Sequence, residues 1–302
     1  MTKTIASGIV IINYSRQVVV EDNSGQRHNC LVKGRRLQPV CGDRVTWTTQ
    51  ADGANIINTI LPRRSLLYRY DTRRQQQPLA ANLDQLLIIT AVEPALEPFL
   101  LDKYLVAAEA LAIRPVIVLN KIDLLTPAQH ESLRGILQPY AALNYRLLEL
   151  SANTGSGLDA LKIALQGKCS ALVGASGTGK SSLASALLGD AAIRTGAISA
   201  ARGEGRHTTT TTTLYHLPEG GDLIDSPGVR DFMLWPMPVT ELKRHFVEFR
   251  EPAAQCRFND CIHLNEPGCA VRSALSSGAI SQQRYDSYQG LVKIMQAQYQ
   301  AY

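Results

Sequence analysis

A chain of 302 residues, 45% of them hydrophobic, is long enough for two or three domains with real cores, and no apolar run approaches the ~20 residues that cross a bilayer. Its net charge of +5 is unevenly placed: residues 1–75 hold 12 Lys+Arg against 5 Asp+Glu, residues 76–235 hold 12 against 15, and residues 236–302 hold 7 against 6. A basic first quarter suits a polyanionic partner, most often nucleic acid.

The opening stretch, MTKTIASGIVIINYSRQ, lacks the apolar core and cleavage site of a secretory signal. The expectation is a cytoplasmic protein, with no membrane partner, whose six cysteines stay reduced. A clustered set of them then points to a metal rather than to disulfides.

Residues 1–63 read as a first domain. GIVIINY, QVVVED, HNCLVKG, DRVTWTT and NIINTIL are rich in β-branched residues and separated by turn signals such as Ser24-Gly25, Cys41-Gly42-Asp43 and Asp52-Gly53. Such short strands without a helical period fit a small barrel of the OB-fold kind, and an SH3-like barrel has similar statistics. OB-folds bind single-stranded or structured nucleic acid, in keeping with the charge. Arg35, Arg36, Arg63, Arg64 and Arg69 are the basic residues expected to meet it.

PRRSLLYRYDTRRQQQP, residues 62–78, is polar and basic and reads as a linker. Strands and helices then alternate within an α/β domain assigned to residues 64–236. DQLLIIT (84–90) is a continuous apolar run, as in a buried parallel strand. A helix is expected over 100–112, a strand at 115–119, and a helix opening at Thr126-Pro127. Further strands are expected at 146–150, 169–173 and 222–224. From Met237 to residue 302 the pattern becomes helical around a cysteine-bearing loop, a third and small domain.

Four motifs in the middle domain carry chemistry. Asn120-Lys121-Ile122-Asp123 follows the strand PVIVL, where ligand loops of open α/β sheets sit. The carboxylate of Asp123 can accept from guanine N1–H and its exocyclic amine, which adenine does not offer. Lys121 can lie over the base and Asn120 can tie this loop to the phosphate loop. Ser151-Ala152, after the strand RLLEL, resembles the loop that meets guanine O6 in GTPases.

Gly174-Ala175-Ser176-Gly177-Thr178-Gly179-Lys180-Ser181 matches GxxxxGK[ST] between a strand and a helix, with Ser182 next in line. Its backbone amides can cradle phosphates, Lys180 can reach the β- and γ-phosphates, and Ser181 can ligate Mg²⁺. Asp225-Ser226-Pro227-Gly228 matches DxxG: Asp225 would hold Mg²⁺ through water and the Gly228 amide would sense the γ-phosphate. Ordinary small GTPases place the phosphate loop first. Here the guanine motifs precede it, so the domain reads as a circularly permuted GTPase that turns GTP into GDP and phosphate.

Cys256-x4-Cys261-x-His263-x5-Cys269 supplies three thiolates and an imidazole, a closed tetrahedral set for one structural Zn²⁺.

On these residues the chain resembles the ribosome small subunit-dependent GTPase A family over essentially its whole length. The resemblance also rests on CGDRVTW, NLDQLLIIT, RHTTT and LYHLPEGGDLIDSPGVRDF. It implies an N-terminal OB-fold, a permuted GTPase domain, a zinc domain and a role in late 30S maturation, with 16S rRNA contact and ribosome-stimulated hydrolysis. It implies no DNA partner, and a monomer is the default. A large-subunit or other RNA target is the alternative. In Ras-like proteins a Gln after DxxG orients the attacking water; here Val229 stands there. The family resemblance points instead to His207 as the catalytic group beside Lys180, with Thr209 of the 208–210 run completing the Mg²⁺ shell. Gly177 stands where some related GTPases carry an Asn for a monovalent cation, which argues against potassium dependence.

Overall fold

The computed structural model describes residues 5–14, 16–34, 36–70, 75–189, 212–225, 229, 232 and 234–300. Five strands, β1 (Ile5–Asn13), β2 (Gln17–Asp22), β3 (Arg27–Leu31), β4 (Arg44–Thr49) and β5 (Asn55–Ile60), enclose a small apolar core. Val10, Val18, Val20, Cys30, Val45, Trp47 and Ile57 fill the space between them. The strand order is β1-β2-β3-β5-β4, with β4 returning to pair with β1. This Greek-key closure, with its parallel β3–β5 pair, is the expected OB-type barrel.

The stretch read as a linker is instead a hairpin. β6 (Leu66–Tyr70) pairs antiparallel with β7 (Gln76–Ala81). The polar run of arginines and glutamines masked the buried residues of the pair, Leu67, Leu79, Ala80 and Ala81.

The α/β domain follows the expected rhythm. β8 (Gln85–Ala91), β9 (Arg114–Asn120), β10 (Arg146–Glu149), β11 (Cys169–Val173) and β13 (Asp222–Asp225) lie parallel in the order β10-β9-β8-β11-β13. Helices α1 (Pro98–Ala110), α2 (Pro127–Ala142), α3 (Leu158–Leu165) and α4 (Lys180–Leu188) cover the two faces. Thr126 caps α2 in a capping box with Gln129, as its sequence requires.

One strand escaped the sequence reading: β12 (Thr212–His216). It runs antiparallel to β13 and pairs on its other edge with β1, so barrel and GTPase strands share one eleven-stranded sheet. A threonine run looks like low complexity, yet threonine is a good strand former.

At the far end of β12, His216 bridges the barrel to the sheet, with Nδ1 2.6 Å from Asp222 and Nε2 2.7 Å from Glu21. These carboxylates raise its pKa to about 9, the Asp222 hydrogen bond contributing most; Arg27 lies on the other side of Glu21. A raised histidine stabilises the fold most fully below its unfolded pKa near 6.5, and that contribution fades as pH rises through about 9. Thermal melting of His216→Gln is therefore expected to fall below that of the natural chain at pH 6 and to converge with it by about pH 10.

The C-terminal part comprises α5 (Val239–Leu242), α6 (Arg250–Ala253), α7 (Ala270–Ser276) and α8 (Gln282–Gln300). Its core is continuous with one face of the α/β domain: Phe246, Phe249, Tyr285 and Tyr288 pack in the same cluster as Leu101, Leu105 and Tyr140. Arg284 of α8 lies wholly buried between Asp102 of α1, Glu248 (2.7 Å) and the rings of Tyr140 and Phe246.

Candidate nucleotide and metal sites

The motif loops all leave the carboxyl ends of parallel strands, where an open α/β sheet presents ligand sites. β11 ends at Val173, and the loop 174–179 turns into the N-terminus of α4. Gly174 has φ +144° and its backbone lies against β8: a Cβ there would sit 2.2 Å from the Ile89 carbonyl oxygen. Gly179 caps α4 in the left-handed region, and a Cβ would meet Asn120 Nδ2 at 2.4 Å. Only glycine serves at these two points. The loop is closed by Thr178 Oγ1 donating to the Ala175 carbonyl at 3.0 Å.

Lys180 is 9% exposed, and its ammonium donates to the carbonyls of Gly174 (2.7 Å) and Ala175 (2.6 Å). A cation is thereby stored at the centre of a loop whose amides and helix N-terminus favour anions. Ser181 and Ser182 occupy the exposed first turn of α4.

Asn120, at the end of β9, is 1% exposed. Its Nδ2 donates to the Thr178 carbonyl at 2.9 Å and its Oδ1 accepts from the Ala152 amide at 3.0 Å. One side-chain amide thus joins three loops: the base motif, the phosphate loop and Ser151-Ala152. Ile122 N reaches the Leu150 carbonyl at 3.3 Å, and the Ser151 hydroxyl accepts from Thr154 N at 3.1 Å. Asp123 stands exposed in the short helical turn Ile122–Leu124, its carboxylate open to a ligand. Lys121, at φ +65°, sends its ammonium to the Glu93 carbonyl at 2.5 Å. Nothing in the sequence marked Glu93, whose contribution is a backbone oxygen.

Asp225 closes β13 beside the phosphate loop strand, opposite Thr213 of β12. Val229 is fully buried, and its apolar side chain has no group with which to orient a water. His207, Thr209 and Gly228 lie outside the described residues.

In the C-terminal part, the four candidate ligand atoms of Cys256, Cys261, His263 and Cys269 all lie within 4.8 Å of one another. His263 Nδ1 is 3.6 Å from Cys256 Sγ and 3.5 Å from Cys269 Sγ, and the two sulfurs are 4.0 Å apart. A tetrahedral Zn²⁺ with ordinary bond lengths places S and N about 3.5 Å apart and two sulfurs about 3.8 Å apart. These residues fit that ion. Burial, helped by Lys243, holds the imidazole down at about 4, neutral and able to ligate. The surrounding loop is pinned by Tyr285 to the His263 carbonyl (2.6 Å), Tyr288 to Ile262 (2.5 Å) and Lys243 to Cys261 (2.7 Å). The Glu266 carboxylate adds three backbone amides.

Among the basic residues expected to meet RNA, Arg63 already grips buried Asp43 through two 2.8 Å bonds, and Arg64 pairs with Asp84 at 2.8 Å. Arg36 and Arg69 are exposed; Arg35 lies outside the described residues. No described helix is long and apolar enough to cross a membrane.

Comparison with known proteins agrees with this geometry. Residues 60–235 match the RsgA GTPase family. A protein of Chromohalobacter salexigens described as small ribosomal subunit biogenesis GTPase RsgA is 48% identical over 94% of this chain and 85% of its own. The RsgA of Dickeya dadantii is 43% identical over 95% and 84%. Among solved structures, YjeQ from Thermotoga maritima superposes with a TM-score of 0.80 at 33% identity, covering 97% of this chain and 99% of that one. YloQ, described as a circularly permuted GTPase, gives 0.78 at 26% identity over 98% and 96%.

Proposed function

The chain belongs to the RsgA GTPase family, and from that premise we propose that it hydrolyses GTP in the biogenesis of the small ribosomal subunit, with hydrolysis stimulated by the 30S particle. The observation that carries the nucleotide reading is Asn120, whose buried amide locks the guanine motif to the phosphate loop although the two stand in inverted sequence order. Residues 1–63 form the rRNA-binding barrel, residues 64–236 the permuted GTPase domain and residues 237–302 the zinc domain. Asp123 reads the guanine edge, Lys121 and the Ser151-Ala152 loop flank the base, and the amides of Gly174–Ser181 with Ser182 hold the phosphates. Lys180 offsets charge that builds on the β–γ bridge as the bond to the γ-phosphoryl group breaks. Ser181, Thr209 and, through water, Asp225 would hold a Mg²⁺, which would supply positive charge beside the phosphates. Cys256, Cys261, His263 and Cys269 hold one structural Zn²⁺.

Binding of fluorescent GDP and ADP tests the base reading: GDP is expected to bind at least ~100-fold tighter, and Asp123→Ala to lose that preference, since one carboxylate forms two charge-assisted bonds. Equal affinity for both nucleotides in the natural chain would overturn it.

Val229 cannot orient water, and the family resemblance assigns that role to His207. His207→Ala is expected to bind GTP normally and to lose ~100-fold or more of its 30S-stimulated kcat. Normal stimulated turnover would remove His207 from the mechanism.

A further inference from the structure

The barrel is woven into the GTPase sheet at the strands that lead to the hydrolytic motifs. β12 lies between β1 of the barrel and β13, with Ile12 opposite Thr213 and Thr213 opposite Asp225. A cross-strand row of three residues therefore runs from the barrel's first strand to the aspartate of the DxxG motif. Thr212, opposite Asn13, and Thr213 close the threonine run that begins at Thr208.

The barrel turn Cys41-Gly42-Asp43 is wedged into the same end of this seam. The Cys41 thiol donates to the Thr212 carbonyl at 3.1 Å and to the Ile11 carbonyl at 3.4 Å, tying β12 to β1. Burial pushes that thiol well above the usual range, so it stays protonated and able to donate. Gly42 packs so closely that a Cβ would lie 3.2 Å from Ile224, the residue before Asp225, and 2.1 Å from the Ala81 carbonyl. Asp43 fixes the turn by accepting from Val40 N and from Arg63. At the opposite end of β12, Glu21 holds His216. β12 is thus gripped by the barrel at both ends.

We propose that Cys41 and Glu21 are positioning residues for GTP hydrolysis, holding β12 against β1 so that a polyanion seated on the barrel alters the placement of Asp225 and of Thr212 and Thr213. This rests on the GTPase reading above. Packed seams of this kind shift between discrete arrangements rather than deforming smoothly. A displacement of β1 is therefore passed to β12 and β13 instead of being absorbed. A merely structural role would lower GTP affinity, basal turnover and stimulated turnover together; a positioning role lowers stimulated kcat while GTP affinity and basal turnover hold.

The test compares Cys41→Ala, Cys41→Ser and Glu21→Gln in the full chain, with purified 30S subunits as the probe. Cys41→Ala and Glu21→Gln are expected to lose about three- to tenfold of stimulated kcat, with basal turnover, KM for GTP and 30S affinity within about twofold of the natural chain. Cys41→Ser, which restores a donor to the same carbonyls, is expected to recover most of that loss. Glu21→Gln leaves the core untouched and decides the matter if Cys41→Ala fails to melt cooperatively. Stimulated kcat unchanged in Glu21→Gln and in any folded Cys41→Ala would overturn the proposal, as would losses confined to KM or to 30S affinity. Turnover of the natural chain, measured alongside, bears on the GTPase reading separately.

Discussion

Cys261→Ser is expected to leave the C-terminal domain without its zinc and without a cooperative melting transition of its own, while guanine nucleotide binding by the α/β domain persists. The segment from Cys256 to Cys269 contains only short turns, and its ligand atoms converge on one point. Structural zinc contributes ~10–16 kcal/mol in isolated zinc-finger peptides, as much as the whole stability of an ordinary domain. Removing one ligand leaves crowded polar groups in a buried pocket: Cys261, His263 and Cys269 are all buried. The aromatic pins from Tyr285 and Tyr288 hold backbone carbonyls of this loop, so loss of the loop should also loosen the first half of α8. Metal content by elemental analysis together with circular dichroism melting checks the expectation. A zinc-free variant that melts like the natural chain would contradict it.

Arg284→Met is the second large effect. Arg284 and Asp102 are both fully buried, and Glu248 is nearly so. The guanidinium answers two carboxylates from different parts of the chain and stacks against Phe246 and Tyr140. Removing it strands two buried acids, a loss of about 3–5 kcal/mol. Burial already raises the Asp102 pKa against the opposing pull of Arg284, so the variant should regain part of the loss as pH falls and the stranded carboxylates protonate. Replacing Asp102, Glu248 and Arg284 together with apolar residues should cost less than Arg284→Met alone, because no unpaired charge remains. Urea denaturation of the two variants at pH 5 and pH 7 measures this. A single variant within 1 kcal/mol of the natural chain would mean that water reaches the pair.

The loops that converge at the candidate nucleotide site are legible in the sequence because each motif is local. A glycine-rich loop between strand and helix, and the four-residue motif Asn120–Asp123 after another strand, are short enough to be written contiguously. The cysteine cluster was legible for the same reason, since four ligands fall within fourteen residues of sequence. What escaped the sequence depends on distant partners. Arg284 looks like one more charged residue of a terminal helix until Asp102 arrives from 182 positions away. Leu66–Tyr70 reads as a linker because its partner strand is built from glutamines and alanines. The threonine run 208–213 reads as low complexity, and the strand Thr212–His216 that begins within it is defined only by the edges that β1 and β13 supply. Arg63 and Arg64 read as RNA contacts, yet both guanidinium groups are paired within the chain. Sequence shows charge but not what already neutralises it.

A GTPase keyed to the small ribosomal subunit should show it in steady-state GTP turnover of the full chain with 30S subunits, with 50S subunits and with neither. Turnover is expected to be slow alone, little changed by 50S, and raised ~100-fold or more by 30S, the scale on which one missing transition-state donor changes kcat. Stimulation by 50S alone, or turnover indifferent to both subunits, would contradict it.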